Sequence, residues 1–188
     1  VSVPLAPVGQ ECDTLQIFGV EHVQRPAGRH ADQDGPVRQL LNPEGGVKFY
    51  PGSPKLARML FRPQDRLSAM ELHPDDSRAL ARLFEGDYQV RVTELDGWLS
   101  LGAHLPPKEK RGLILVDPPY ELENEYQRLA DGLNKAYRRF STGTYCLWYP
   151  LKKGAPIKDF HERLQSFDIP KMLCAELSVR SDRLDGLS

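Results

Sequence analysis

A carboxylate, two prolines and an aromatic ring follow one another directly after an apolar run, in the motif Asp-Pro-Pro-Tyr at residues 117–120. The four preceding residues, Leu113–Val116, are all apolar, which predicts a strand buried on both faces inside a parallel sheet. The strand must end at the motif, because prolines have no N–H for a ladder and Pro118 holds Asp117 extended. Ligands of open α/β sheets bind at the carboxyl ends of the strands. We therefore expect Asp117 and Tyr120 to line a ligand site.

Asp-Pro-Pro-Tyr after an apolar strand is typical of enzymes that methylate exocyclic amines of nucleobases with S-adenosylmethionine. An adenine N6 amine is a poor nucleophile, because its lone pair is delocalised into the ring. The Asp117 carboxylate and the Pro118 carbonyl can accept both amine hydrogens and turn the lone pair toward the methyl donor, while Tyr120 can stack on a base taken out of its helix. The alternative is a strand and a proline-rich turn in which Asp117 only caps the next helix.

Other candidate ligand-binding residues stand at predicted helix starts and strand ends. Ser53 before Pro54 is typical of an N-cap, and this helix start either holds an anion with its N–H groups or merely begins a helix. Glu71 ends a predicted strand and is placed to bind the two ribose hydroxyls of a nucleoside cofactor. Asp96 could accept a hydrogen bond from an adenine amine, and Gly97 lets the backbone approach a flat ring. A lone acid at a strand end is usually only surface, so these residues matter together.

Strand and helix patterns alternate along the chain. Beyond the central strand, strands are predicted at residues 65–71, 88–93, 144–150 and 172–179, and helices begin near residues 54, 75, 98, 122 and 157. Four strand–helix alternations in a row predict a parallel, doubly wound sheet. We expect a three-layer α/β domain with the strand Leu113–Val116 in its interior.

Composition points to one globular domain without a membrane or metal partner. The 188 residues are 40% hydrophobic and carry a net charge of −1, so overall charge favours no nucleic-acid partner. Three cysteines (Cys12, Cys146 and Cys174) have no paired spacing, so we expect no disulfide framework or zinc site, and we expect Cys146 and Cys174 to be buried. No apolar run approaches the roughly 20 residues that span a bilayer. These features favour a cytoplasmic protein, and we expect a monomer.

Five motifs occur along the chain in this order: Tyr50-Pro-Gly-Ser-Pro54, Glu71-Leu-His-Pro74, Asp96-Gly97, Leu113-Ile-Leu-Val-Asp-Pro-Pro-Tyr-Glu121 and Leu147-Trp-Tyr-Pro150. With these motifs in this order, the sequence from about Val47 to Ser188 resembles the bacterial 23S ribosomal RNA (adenine-N6) methyltransferases of the RlmJ type. The resemblance implies a Rossmann-like fold, S-adenosylmethionine as methyl donor and 23S ribosomal RNA as partner. It also implies cofactor contacts at Ser53, Glu71, Asp96, Gly97 and Asp117, with Asp117 as the catalytic residue.

Two motifs of that family are not recognisable here: its His-rich opening segment, and its first strand with the glycine-rich loop that cradles the cofactor. We therefore interpret residues 1–46 as a divergent or poorly ordered segment, and residues 47–188 as a methyltransferase domain truncated at both ends. The sheet should show a gap at the first strand or a substitute made by residues 14–20. Two alternatives remain, an enzyme that methylates DNA amines and a non-catalytic nucleic-acid-binding remnant without the cofactor loop.

Overall fold

A five-stranded parallel sheet forms the centre of the molecule, as seen in a computed structural model that describes residues 14–18, 52–120, 122–152 and 154–177. The strands are β1 (Thr14–Phe18), β2 (Arg66–Glu71), β3 (Val90–Glu94), β4 (Leu113–Val116) and β5 (Thr144–Leu147). Their spatial order is β3-β2-β1-β4-β5, and every pairing is parallel. The chain moves outward from β1 in one direction and from β4 in the other, which confirms the predicted doubly wound α/β topology.

Helices cover both faces of this sheet and make the three layers that the sequence predicts. They are α1 (Ser53–Met59), α2 (Pro74–Leu83), α3 (Gly97–Ala103), α4 (Glu125–Arg139) and α5 (Ile157–Gln165). On β4, Ile114 and Val116 are buried in a core that contains residues of α3, α4 and α5. Leu113 and Leu115 pack on the opposite face, against a smaller cluster that includes residues of α1 and α2. Strand β4 is interior, because it pairs with both β1 and β5.

Strand β1 lies at the middle of the sheet and takes the place of the first strand, which was not recognisable as such in the sequence. Phe18 pairs with Met70 of β2 on one side and with Val116 of β4 on the other. The expectation that residues 14–20 supply a substitute strand is therefore confirmed for Thr14–Phe18. The residues that follow this strand, where the sequence shows no recognisable cofactor loop, lie outside the described residues. Among the helices of the described ranges, none combines the length and apolar character needed to cross a membrane.

The start of α1 differs by one residue from the prediction. The backbone N–H of Leu56 donates to the carbonyl of Gly52 at 3.0 Å, so Gly52 is the N-cap and the helix begins with Ser53. No side chain caps this end. The predicted N-cap role of Ser53 is therefore wrong, because the first helical hydrogen bond closes on the glycine before it.

Two further expectations fail at the last part of the chain. Residues 172–177 form no strand, and Leu173 and Leu177 are exposed, because no neighbouring strand pairs with them in the described structure; residues 178 and 179 lie outside it. Cys146 and Cys174 are exposed rather than buried. Strand β5 forms the end of the described sheet, and its side chains alternate between an exposed and a half-buried face, with Cys146 on the exposed one.

Candidate functional site

Two acidic residues mark the carboxyl edge of the sheet on either side of β1. Phe18 pairs with Met70 and Val116, so Glu71 and Asp117 each stand one residue beyond the same level of the sheet. Neighbouring strands lie about 4.8 Å apart, which puts the two Cα atoms on the order of 10 Å from each other. The chain direction across the sheet also reverses between β1 and β4, and such switch points are where open α/β sheets form a ligand crevice.

Glu71 is fixed and almost fully shielded from solvent. The residue is 7% exposed, and its Oε1 accepts a hydrogen bond from the backbone N–H of His73 at 2.9 Å. Its own carbonyl accepts from the N–H of Leu95 at 3.1 Å, which joins the end of β2 to the end of β3. By contrast Glu94, its register partner on β3, is exposed. A buried acceptor held at a strand end suits hydroxyl donors of a ligand.

Asp96 has a structural role that the sequence left open. It is the N-cap of α3, and its Oδ1 accepts from the backbone N–H groups of Trp98 at 2.6 Å and Leu99 at 3.3 Å. Its Oδ2 makes no hydrogen bond within the described ranges, and that oxygen is the one available to a ligand. Gly97 is the first residue of α3 and lies beside it. Capping therefore fixes the direction of this carboxylate.

The motif that follows β4 folds into a tight, strained turn. Asp117 is half-buried, with its Oδ1 shielded from solvent, and Pro118 is buried. Tyr120 has a φ of +56°, in the left-handed region that non-glycine residues rarely adopt. Strain of this kind persists only where the surroundings enforce it, and it concentrates at functional sites.

The contacts of Tyr120 enforce that conformation. Its hydroxyl donates to the carbonyl of Trp148 at 2.7 Å, and its carbonyl accepts from Lys152 Nζ at 3.2 Å. Its ring lies 5.0 Å from the ring of Tyr126, centroid to centroid. Burial, helped by the nearby Tyr126 and Asp117, raises the pKa of the Tyr120 phenol far above its ordinary value of 10.0. The hydroxyl therefore stays protonated and remains a donor at any physiological pH.

Ser53 is the first residue of α1, and within the described residues no side-chain hydrogen bond caps this helix start or joins it to the other candidates. The sequence interpretation also overlooked Glu125, the first residue of α4. It is only 3% exposed, and its Oε2 has no hydrogen-bond partner within the described residues. The signal that could have revealed Glu125 is its position next to Tyr126, where the apolar face of the helix begins.

Comparison with known sequences identifies similar proteins over most of the chain. A family model described as "Ribosomal RNA large subunit methyltransferase D, RlmJ" matches residues 33–185. The chain is 45% identical over 146 residues to ribosomal RNA large subunit methyltransferase J of Escherichia coli, which is 78% of this chain and 52% of that protein. The protein of the same name from Haemophilus influenzae is 43% identical over 136 residues, which is 72% of this chain and 48% of that protein. The chain thus spans about half the length of the curated relatives it matches.

A solved structure has the same architecture. The crystal structure of a protein from Legionella pneumophila superposes with a TM-score of 0.67 and 31% sequence identity, over 84% of this chain and 67% of that one. The agreement supports the Rossmann-like fold described above.

Proposed function

The chain belongs to the RlmJ family of ribosomal RNA large subunit methyltransferases, and we propose that it methylates the N6 amine of an adenine in 23S ribosomal RNA. The observation that carries the proposal is the Asp-Pro-Pro-Tyr turn at the carboxyl end of β4, directly beside the switch point of the sheet. We also propose that it acts in the cytoplasm and as a monomer, and a function on ribosomal RNA is consistent with that location.

The residues at the sheet edge fit a nucleoside cofactor. Glu71 is a buried carboxylate at the end of β2, with the acceptor capacity that two vicinal hydroxyls need. Asp96, held by its capping bonds, keeps one oxygen for an amine donor, beside the glycine that begins α3. We therefore propose that Glu71 holds the ribose and that Asp96 and Gly97 hold the adenine of S-adenosylmethionine, with Ser53 and Asp117 as further cofactor contacts. When bound, this cofactor supplies an electrophilic methyl group on a sulfonium ion.

The protein's own contribution to the reaction is to position and activate the target amine. In the proposed mechanism the two amine hydrogens are donated to the Asp117 carboxylate and the Pro118 carbonyl, which rotates the nitrogen lone pair out of conjugation. Pro118 and Pro119 have no N–H and fix the direction of that carbonyl. Tyr120 holds the extruded base by stacking. No strong general base is required, because the amine becomes acidic once its lone pair has formed the new bond.

The proposal is tested by transfer of tritium from labelled S-adenosylmethionine to protein-free 23S ribosomal RNA taken from cells that lack the enzyme. The unmodified chain should label the RNA on adenine N6, and Asp117→Ala should not. Asp131→Ala is the matched control, because Asp131 binds Arg163 on the outside of α4 and should be dispensable. Equal labelling by the unmodified chain and Asp117→Ala would reject the role of Asp117.

Two other results would reject the substrate or the activity. Efficient labelling of duplex DNA with little labelling of RNA would identify a DNA amine methyltransferase instead. RNA binding without any transfer would identify a non-catalytic remnant. Digestion of the product to nucleosides decides whether N6-methyladenosine is the modified base.

A further inference from the structure

Two tyrosine hydroxyls bind alternate carbonyl groups of one short segment, Trp148–Pro150, which follows β5. The hydroxyl of Tyr120 donates to the carbonyl of Trp148, and the hydroxyl of Tyr126 donates to the carbonyl of Pro150, each at 2.7 Å. The two rings are also in contact, with centroids 5.0 Å apart. The turn after β4, the start of α4 and the segment after β5 therefore form one connected unit.

We propose that Tyr126 is a positioning residue for methyl transfer: it anchors the Trp148–Pro150 segment to α4, and the segment in turn holds Tyr120 in its strained conformation. This inference rests on the proposed function. Tyr126 touches neither the amine acceptors nor the proposed cofactor residues through any hydrogen bond in the described structure, so it acts only through Tyr120 and the segment.

Tyr126 is suited to this role because it is itself immobile. The residue is 7% exposed and stands on the core-facing side of α4, a helix of 15 residues. Its ring also meets Phe160 of α5 edge-on, with centroids 5.7 Å apart. The hydroxyl on this ring therefore has a fixed position. Its hydrogen bond to the carbonyl of Pro150 holds the segment in place.

The segment is tied to β4 as well. The N–H of Trp148 donates to the carbonyl of Val116 at 2.9 Å, one residue before Asp117. The carbonyl of the same Trp148 accepts from the hydroxyl of Tyr120, so one residue contacts both ends of the turn. Loss of the Tyr126 anchor would let the segment move away and Tyr120 relax from φ +56° toward an ordinary conformation. The Pro118 carbonyl would then change direction relative to the target amine.

The decisive substitution is Tyr126→Phe, which keeps the ring and removes only the hydroxyl. A shift of the reacting groups by about 1 Å costs on the order of 100-fold in rate, so we expect kcat to fall at least about tenfold. The KM for S-adenosylmethionine should change less than about twofold, because the cofactor residues on β2 and β3 are unaffected. An unchanged kcat, or a rise in KM alone, would contradict the proposal.

Tyr145→Phe is the matched control. Its hydroxyl donates to the carbonyl of Phe140 at 2.9 Å, a bond of the same type at the opposite end of β5. It should lower the urea midpoint of unfolding about as much as Tyr126→Phe and leave kcat unchanged. An equal loss of kcat in both variants would show that Tyr126 contributes only to stability.

A double-mutant cycle tests the connection between the two hydroxyls. Because both hold the same segment, Tyr120→Phe with Tyr126→Phe should lower kcat little more than either change alone. Independent, multiplicative losses would overturn the proposal. A readout independent of activity is the fluorine resonance of Tyr120 in protein labelled with 3-fluorotyrosine, assigned by its absence from Tyr120→Phe. It should shift in Tyr126→Phe and not in Tyr145→Phe.

The two proposals fail in distinguishable ways. A chain that transfers no methyl group to any nucleic acid refutes the proposed function, and the fluorine spectrum then still decides whether Tyr126 fixes Tyr120. An active chain whose Tyr120 resonance is unaltered by Tyr126→Phe leaves the function intact and refutes the positioning role.

Discussion

Glu71 and Asp117 stand at matching positions beside β1, at the end of β2 and directly after the end of β4, each one residue beyond the pairing partner of Phe18. The end of β1 therefore lies between them, and a ligand placed across it can reach both carboxylates. Their environments differ: Glu71 is buried and bound to a backbone N–H, while Asp117 is half-buried in a strained turn. The pair suits one ligand whose hydroxyls bind on the β2 side and whose reactive group points to the β4 side.

The first prediction tests whether Glu71 binds the ligand directly or only adds negative charge to the sheet edge. Glu71→Gln should weaken the binding of adenosine, because one charge-assisted hydrogen bond is worth about 1.5–3 kcal/mol, or about 10- to 150-fold in Kd. Glu94→Gln removes an equal charge from the register partner on β3, which is exposed, and should leave the Kd unchanged. Calorimetric titration with adenosine measures both. Equal effects of the two substitutions would mean that Glu71 acts only through the net charge of this edge.

The second prediction concerns the two roles of Asp96. Asp96→Ala should lower the free energy of unfolding by about 0.5–2 kcal/mol, because the N-cap bonds to Trp98 and Leu99 are lost. Asp96→Asn should preserve stability, since asparagine is an equally good N-cap. It should nevertheless weaken adenosine binding, because the amide has no negative charge and only one acceptor oxygen. Urea unfolding and adenosine titration of both variants provide the measurement. Tight adenosine binding by a folded Asp96→Asn protein would leave Asp96 with a structural role alone.

The sequence predicted the sheet and the positions of its acidic residues because strand ends have local chemical signals. The prolines after Asp117 and the apolar run before it specify the end of β4 without any tertiary information. Within the strand predicted at residues 172–179, residues 172–177 form no strand, for the opposite reason. Its apolar residues resemble a strand, but a strand also needs a partner, and local composition does not report whether one is present.

Sequence patterns could not predict the contacts that side chains make with distant parts of the chain. The helical spacing of apolar residues in α4 accounts for the burial of Tyr126, but it does not reveal that the hydroxyl of Tyr126 reaches Pro150, 24 residues along the chain. Glu125 was overlooked because helical periodicity assigns apolar residues to the core and says nothing about an acid buried beside them. Such contacts depend on how the loops close over the sheet edge, which is a property of the folded molecule.

The third prediction is a loss of stability in acid. Hydrogen bonds from Arg62 hold the pKa of Asp65 below its ordinary value of 3.8, against the opposing effect of burial. A lowered pKa in the folded state means that the carboxylate stabilises the fold above pH 3.8, and this contribution is lost as the pH falls through the folded-state pKa. Asp65→Asn should therefore lower the midpoint of urea unfolding at pH 7 and flatten its fall below pH 4.

The control for this acid effect is Asp75→Asn, which removes a carboxylate from an exposed ion pair with Arg78. Exposed pairs contribute little to stability, so the pH profile of this variant should follow that of the unmodified chain. Identical acid profiles for Asp65→Asn and the unmodified chain would show that the Arg62–Asp65 pair has no part in acid unfolding.

The last prediction concerns how the two halves of the cofactor bind. From the sequence we expect no counterpart of the family's glycine-rich loop, which holds the methionine end, whereas the residues proposed to contact the ribose and adenine, Glu71, Asp96 and Gly97, lie at the sheet edge. Loss of two or three charge-assisted hydrogen bonds at about 1.5–3 kcal/mol each should weaken the binding of S-adenosylmethionine by two or more powers of ten, compared with a family member that has the loop. The affinity for adenosine should fall much less. Calorimetric titration of both ligands decides the matter, and micromolar binding of S-adenosylmethionine would mean that residues 1–46 rebuild the loop.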